Sequence, residues 1–517
     1  MKRLNYILVS LALAGCSSSD KSPSHKTGKI TDNGKPRNIV FILSDDHRYD
    51  FMGFTGKVPW LRTPNMDRMA SEGAYIRNAF VATSLSSPSR ASILTGLYTH
   101  NHRVVDNPSP IPEGLTFFPQ YLQKAGYITG FFGKWHMGNS GDMQPGFDHW
   151  EGFKGQGEYY NPRLNINGTW EQFKDSTYSA DLITEHAIGF MKKQVEQDKP
   201  FFVYLSHKGV HEPFTPAKRH KGCYAGNKVV LPETFKTPYY NIKVLPSTDP
   251  KTGLPAQGKD YYGENMFPDW VKNQRESWHG VDYIDLEMGT WRNWMDQVID
   301  YCETLMSVDE SIGSVMEFLK DAGIDENTLV IYMGDNGFAW GEHGLVDKRQ
   351  FYEESVRIPM LARCPELFRG AQVLEKMIQN IDIAPTIMEG AGLEKAENMA
   401  GDSFIPLLQG KDVKWRDRIF YEYYWEHNYP MTPTMHGVRT ERYKYIRYYG
   451  VWDTNEFYDL MEDPNETHNL IGSPEYQEII KEMNHSLYDW LESTDGMAIP
   501  LRRTETPHID HRNKGSY

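Results

Sequence analysis

The segment Ser84–Gly96, SLSSPSRASILTG, crowds five serines, a proline and an arginine into thirteen residues. It follows an apolar strand-like stretch and opens a short helix at Pro88, where free N–H groups and the helix dipole favour negative charge. Serine-rich turns also cap helices with no chemistry attached. The role of Ser86 therefore depends on what else reaches the same place. Asp45 and Asp46 stand in SDDH, Lys134 and His136 in GKWH, His211 in KGVHEPF, Asp335 and Asn336 in DNG, and His343 with Lys348 in GEHGLVDKRQ. Asp45, Asp46, Asp335 and Asn336 offer oxygen ligands, which suit a hard cation such as Ca²⁺ or Mg²⁺ and disfavour a dedicated zinc site. Arg90, one turn beyond Ser86, can orient it and neutralise an oxyanion. Lys134 and Lys348 can hold a tetrahedral anion, and histidines such as His136 and His211 suit proton transfer near neutral pH. Together they describe a metal-assisted displacement on a small tetrahedral anionic group, either phosphoryl or sulfuryl.

These residues need a scaffold that gathers loops from distant parts of the chain. Arg37–Leu43 (RNIVFIL) is a continuous apolar run of the buried parallel type. Gly126–Phe132, Phe201–His207 and Thr328–Gly334 repeat the pattern, and each is followed by one of the polar motifs above. Helical patterns separate them. One has Thr63 as its N-cap, Pro64 at its first position and Gly73 as its stop. YSADLITEHAIGFMKK is amphipathic, and a long helix covers about 291–322. The alternation predicts an α/β domain with a largely parallel sheet sandwiched by helices. Ligands then sit outside the carboxyl ends of the strands, where the polar motifs fall. Asn227–Glu287, rich in Pro, Tyr, Lys and Gly, reads as an insertion that shapes a substrate mouth. Beyond Gly410 the texture changes to hairpin strands and a final amphipathic helix over about 474–491, a smaller α+β subdomain.

The 517 residues carry a net charge of −14, which argues against nucleic acid as a partner. An anionic substrate must instead meet a local cationic pocket. Thirteen tryptophans and 31 tyrosines fit a large core and also fit sugar stacking. The chain opens with Lys2 and Arg3, followed by the apolar run Leu4–Ala14. That run is shorter than the roughly 20 residues a span requires and has the layout of a secretory signal. Leu13-Ala14-Gly15-Cys16 resembles a bacterial lipoprotein cleavage box, which implies a signal at 1–15, lipidation of Cys16 and a polar tether at 16–36. Plain secretion is the alternative. The protein is then an exported lipoprotein, facing the periplasm or the cell surface. Cys223, Cys302 and Cys364 have no metal-type spacing and read as small buried hydrophobes.

Ser86-Ser87-Pro88-Ser89-Arg90, followed by Leu94-Thr95-Gly96, resembles the sulfatase signature of Cys or Ser, any residue, Pro, Ser, Arg and a later Thr-Gly. The resemblance extends over nearly the whole mature chain. It implies an alkaline-phosphatase-like mixed sheet with helices on both faces, a catalytic domain at 37–409 and a C-terminal subdomain at 410–517. It also implies oxidation of Ser86 to formylglycine by an anaerobic sulfatase-maturing enzyme. Asp45, Asp46, Asp335 and Asn336, with the modified Ser86, match the family's metal site, for which Ca²⁺ is implied. Arg90, Lys134, His136, His211 and Lys348 match its remaining active-site positions. PSRASILTGLYTHNHRVVDN, YYNPRLNINGTW and VDKRQFYEESVRIPML are similar to the N-acetylglucosamine-6-sulfatases. This implies a sulfated oligosaccharide substrate of glycosaminoglycan or mucin type. His343, Arg349, Tyr159, Tyr160, Trp425 and His427 are candidate sugar contacts. Three alternatives stay open: a different sulfate position, a phosphodiesterase or phosphatase of the same superfamily using Ser86 directly, and a sugar-binding lipoprotein in which Ser86 is never oxidised.

Overall fold

The computed structural model describes residues 36–138, 140–236, 268–275, 277, 279–281, 294–449 and 454–500. The expected signal, Cys16, the tether up to Lys35, most of the Asn227–Glu287 insertion and the last seventeen residues lie outside the described residues.

A ten-stranded mixed sheet forms the centre. Its strands are β1 (Asn38–Ser44), β2 (Ala74–Ile76), β4 (Ile128–Gly133), β5 (His149–Phe153), β6 (Arg163–Ile166), β7 (Thr169–Gln172), β8 (Phe201–Ser206), β9 (Thr328–Gly334), β10 (Met360–Arg363) and β11 (Gln372–Leu374). A short pair, β3 (Ala79–Phe80) and β12 (Ile378–Gln379), lies apart from it. The order is β11-β2-β10-β9-β1-β8-β4-β5-β6-β7. The five strands β9-β1-β8-β4-β5 run parallel, and antiparallel strands extend the sheet on both sides. The inner positions of β1, β8 and β9 are apolar because both faces are covered. Ile39, Phe41 and Leu43 of β1 enter one core, and Val40 and Ile42 enter the other. The period-2 side-chain alternation thus feeds two helical layers. Helices Ser179–Glu196 and Trp294–Asp321 cover one face; Ser86–Thr95, Phe118–Lys124 and Ile383–Gly390 cover the other.

The C-terminal strands β13 (Arg418–Tyr423), β14 (Met435–Thr440), β15 (Tyr443–Tyr448) and β16 (Glu456–Asp459) form an antiparallel sheet. Helix Gln477–Ser493 packs Met483, Leu487 and Trp490 against Val438, Tyr445 and Phe457 on its outer face. Tyr421, Tyr423 and Ile446 join the core of the main domain. The subdomain therefore shares apolar interior with the large sheet.

Two local details differ from the expectations. The helix at the serine-rich segment begins at Ser86, two residues before Pro88, with Leu85 at its N-cap. Thr63 precedes the first helix as expected, but its hydroxyl donates to Asp67 Oδ1 (2.9 Å) and does not cap that helix.

Candidate active site

Strand register brings the carboxylates together. Ser44 of β1 pairs with Gly334 of β9, so the next residues, Asp45 and Asp335, emerge side by side. The Asp46 amide donates to Asp335 Oδ1 (3.0 Å), and Asn336 Nδ2 donates to Asp46 Oδ1 (2.7 Å). Asp46 adopts φ +54°, a left-handed conformation that is uncommon for a non-glycine residue. The Tyr301 hydroxyl donates to the Asp46 carbonyl (2.8 Å) and accepts the Arg48 N–H (3.0 Å), bracing this turn.

The Ser86–Thr95 helix is buried along its whole length. Its serines do not cap it. Ser86 Oγ donates to Asp45 Oδ1 at 3.4 Å, Ser87 donates to the His136 carbonyl, and Ser89 to the Asp335 carbonyl. Arg90 is fixed from several sides: Nε reaches Asp335 Oδ2 (3.0 Å), and Nη1 donates to the Lys134 carbonyl (2.7 Å) and Ser206 Oγ (2.8 Å). This fork ties the helix to β4, β8 and β9 at once, a geometry that suits guanidinium.

Cations close the rim. Lys134 Nζ donates to Asp45, and Lys348 Nζ contacts both oxygens of Asp46 (2.7 and 2.6 Å). His211 Nε2 lies 3.8 Å from Asp46 Oδ2, and His136 Nε2 lies 3.1 Å from Gln156 Nε2. All ten predicted catalytic and metal residues thus reach one rim, from the ends of β1, β4, β8 and β9, the Ser86 helix and the loop carrying Lys348.

Burial raises the cost of every charge here, and the neighbours decide the outcome. Burial pushes Asp45 upward, but Lys134 and the other surrounding cations hold it well below the usual carboxylate range. Asp46 is raised by burial, and Asp335 is pushed up to about 6 by burial and by the charge of Asp45. Burial lowers Lys134 to about 8, whereas Asp46 keeps Lys348 above its ordinary value against burial. His136 and His211 are held well below theirs by burial, reinforced by Lys134 and Lys348 respectively.

Three ligand atoms from Asp45, Asp46 and His211 lie within 4.8 Å of one another. Asn336 Oδ1 is buried and accepts no hydrogen bond, although its Nδ2 is fully used. An orphaned carbonyl oxygen beside crowded carboxylates is the donor set of a hard cation. The residues fit a divalent metal.

The expected sugar contacts are scattered. Tyr159 is nearly buried and donates to the His211 carbonyl (2.5 Å), beside the rim. Tyr160 donates to the Pro216 carbonyl (3.0 Å). Arg349 is 3% exposed and engaged by Asp347, Glu426 and the face of Tyr429. Trp425 is exposed, with the half-buried His427 as its ring neighbour. His343 is 1% exposed, stacked on Tyr352 at 4.0 Å and grouped with Glu354 and Glu466, so it offers a sugar no open surface. Three residues at the rim carry no obvious sequence signal. Gln156 bridges Lys134 and His136 from a glycine-rich loop, and Tyr301 reads as a core aromatic. Lys208, buried over the Tyr159 ring at 4.9 Å, is conspicuous only for standing three residues before His211.

The sulfatase family model matches residues 37–393, and a model described as N-sulphoglucosamine sulphohydrolase, C-terminal, matches 341–493. An N-acetylglucosamine-6-O-sulfatase of Bacteroides thetaiotaomicron is 31% identical, covering 92% of this chain and 88% of that protein. A multifunctional alkaline phosphatase superfamily protein of Trinickia caryophylli is 26% identical, covering 92% and 99%. A protein solved in complex with its substrate D-glucosamine-2-N,6-O-disulfate superposes with a TM-score of 0.75 at 30% identity, covering 91% of this chain and all of that one. The extent of these matches, on a rim built of carboxylates, lysines and histidines around Ser86, means that the chain belongs to the sulfatase family and is a sulfatase.

Proposed function

We propose that this enzyme hydrolyses the 6-O-sulfate of glucosamine-type sugars, N-acetylglucosamine above all, in glycosaminoglycan or mucin-type glycans. The observation that carries the reading is the 31% likeness to the Bacteroides N-acetylglucosamine-6-O-sulfatase, together with the likeness to the protein solved with a 6-O-sulfated glucosamine.

Asp45, Asp46, Asp335 and the free Oδ1 of Asn336, with position 86, would hold Ca²⁺. The ion would polarise the sulfate oxygens. Formylglycine at position 86 would supply a hydrated aldehyde with one hydroxyl to attack sulfur and a second to release the product, which plain serine lacks. The chain's own residues supply the rest. Lys134, Lys348 and Arg90 surround the sulfate position with positive charge. His211, on the rim beside Lys348, delivers a proton to the departing sugar oxygen. Burial, reinforced by the lysines, otherwise keeps this ring neutral, and the arriving sulfate charge offsets the lysines' share. His136, neutral for the same reason and held by Gln156, accepts a proton at position 86. General acid–base assistance of this kind is worth roughly 10²–10⁴-fold.

The maturing enzyme, the lipid anchor at Cys16 and division of the chain at about residue 409 belong to the same reading. They rest on the sequence features described above. Among the described residues no helix is long and apolar enough to cross a membrane. A second reading, phosphate ester hydrolysis by a phosphodiesterase or phosphatase of the same superfamily, is favoured by the likeness to the Trinickia alkaline phosphatase superfamily protein. The test is twofold. The tryptic peptide Asn78–Arg90 from native protein should be lighter by two hydrogens and reactive to a carbonyl reagent at Ser86. Sulfate should be released from N-acetylglucosamine-6-sulfate in preference to the phosphate analogue. An unmodified Ser86 in active protein, or a preference for phosphate, would overturn it.

A further inference from the structure

We propose that the cavity beyond His211 is a subsite for a second, anionic sugar of the glycan chain. This rests on the proposed 6-O-sulfated glucosamine substrate. The cavity has a volume of about 600 Å³ and is walled by Glu212–Pro216, the segment that begins directly after His211. Two adjacent tyrosines pin that wall. The Tyr159 hydroxyl holds the His211 carbonyl at the metal end, and the Tyr160 hydroxyl holds the Pro216 carbonyl at the cavity end. The backbone held at His211 runs directly into the cavity wall at Glu212, and a sugar chain leaving the sulfate position would follow that segment into the cavity.

The lining matches a sugar. Phe214, Pro216 and Tyr160 offer an apolar surface for a pyranose C–H face, while Glu212 and Gln297 offer groups for its hydroxyls. The lining carries two carboxylates, Glu212 and Asp300, and two lysines, Lys218 and Lys221, and Lys218 is the one that can take an anion. Lys221 is paired with Asp300. Lys218, also lining the cavity, is exposed; its Nζ meets Ser176 Oγ at 2.9 Å, and among the described residues it makes no ion pair. A carboxylate or sulfate on the neighbouring sugar is the group that Lys218 would hold. Such remote binding energy can be used at the reacting centre.

The experiment compares kcat/KM for N-acetylglucosamine-6-sulfate with that for a disaccharide in which the same sugar is joined to a uronic acid, for the native enzyme and for Lys218→Ala and Lys218→Glu. The expected result is a disaccharide advantage of about tenfold, reduced by Lys218→Ala and abolished by Lys218→Glu. Monosaccharide turnover and melting temperature should stay unchanged in both variants. Equal kcat/KM for the two substrates, or an advantage indifferent to Lys218, overturns the subsite while leaving the substrate reading intact. If neither compound is cleaved and another sulfated monosaccharide is, the substrate reading fails, and the subsite with it.

Discussion

Replacing Tyr301 by Phe removes one oxygen from beneath the metal loop and little else. The ring packs against Phe51, Phe214 and Trp340 at 5.6, 5.6 and 5.4 Å, contacts that Phe retains. The hydroxyl is the brace between the Asp46 carbonyl and the Arg48 N–H, at 2.8 and 3.0 Å. Two buried hydrogen bonds are lost at about 1 kcal/mol each, and two backbone groups are left to find new partners. Without a metal, Asp46 can relax from φ +54°, recovering about 1–3 kcal/mol of backbone strain. With a metal bound it cannot, so most of the loss falls on the bound state. A difference of about 2–3 kcal/mol corresponds to a Ca²⁺ Kd raised about 30–150-fold. Calorimetric titration of the chelator-stripped protein with Ca²⁺ reads this directly, and the melting temperature of the stripped protein reads any general loss of stability. A Kd within twofold of the native value would refute the reasoning. So would a lowered melting temperature with unchanged Kd, which would make Tyr301 an ordinary core residue.

Further outcomes follow from the same geometry. Arg90→Lys keeps the charge but loses the fork to Asp335, the Lys134 carbonyl and Ser206; kcat/KM for sulfate release should fall about 100-fold, in line with the cost of a slight misplacement. Glu353 binds Arg439 (2.9 and 3.0 Å) and Lys444 (2.8 Å), joining the C-terminal sheet to the main domain. Glu353→Gln leaves Arg439 without a buried counter-charge and should cost about 3–5 kcal/mol in denaturant unfolding. His100 is lowered by burial but raised on balance by its hydrogen bond to Glu422 (2.9 Å). A raised folded-state value means that this stabilisation is complete below the ordinary histidine pKa of 6.5 and is lost as pH rises through the higher folded value. Melting temperature should therefore fall more between pH 6 and 8 in the native protein than in His100→Gln, and parallel curves would refute the assignment. Chelation with EDTA should abolish sulfate release and lower the melting temperature, since Asp45, Asp46 and Asp335 are then left crowded without their cation.

Much of the site was legible because parallel strands have a simple grammar. NIVFILS and TLVIYMG are apolar at every inner position, Ile39–Leu43 and Leu329–Met333, since both faces are covered, and each is followed by the polar residues of the rim. Asp45, Asp46, Asp335, Asn336, Lys134, His136 and His211 are found by reading to the end of a strand. Ser86 and Arg90 stand one helical turn apart, so local geometry alone puts them on one face. The sugar contacts follow no such rule. His343, Arg349 and Trp425 carry the right chemistry, yet whether each is stacked inside, ion-paired or exposed depends on packing between segments far apart in the chain. The serines of the Ser86 helix read equally well as caps, and their actual partners lie on other strands. Tyr301 looks like any core aromatic on its helix, and Gln156 like any loop amide. Their roles come from meeting Asp46, Lys134 and His136 across long sequence separations. The sequence by itself determined which chemistry could be assembled, because local periodicity and strand ends dictate which side chains face the rim. Tertiary structure alone decided who braces, pairs and encloses them, because burial and strand register set those contacts.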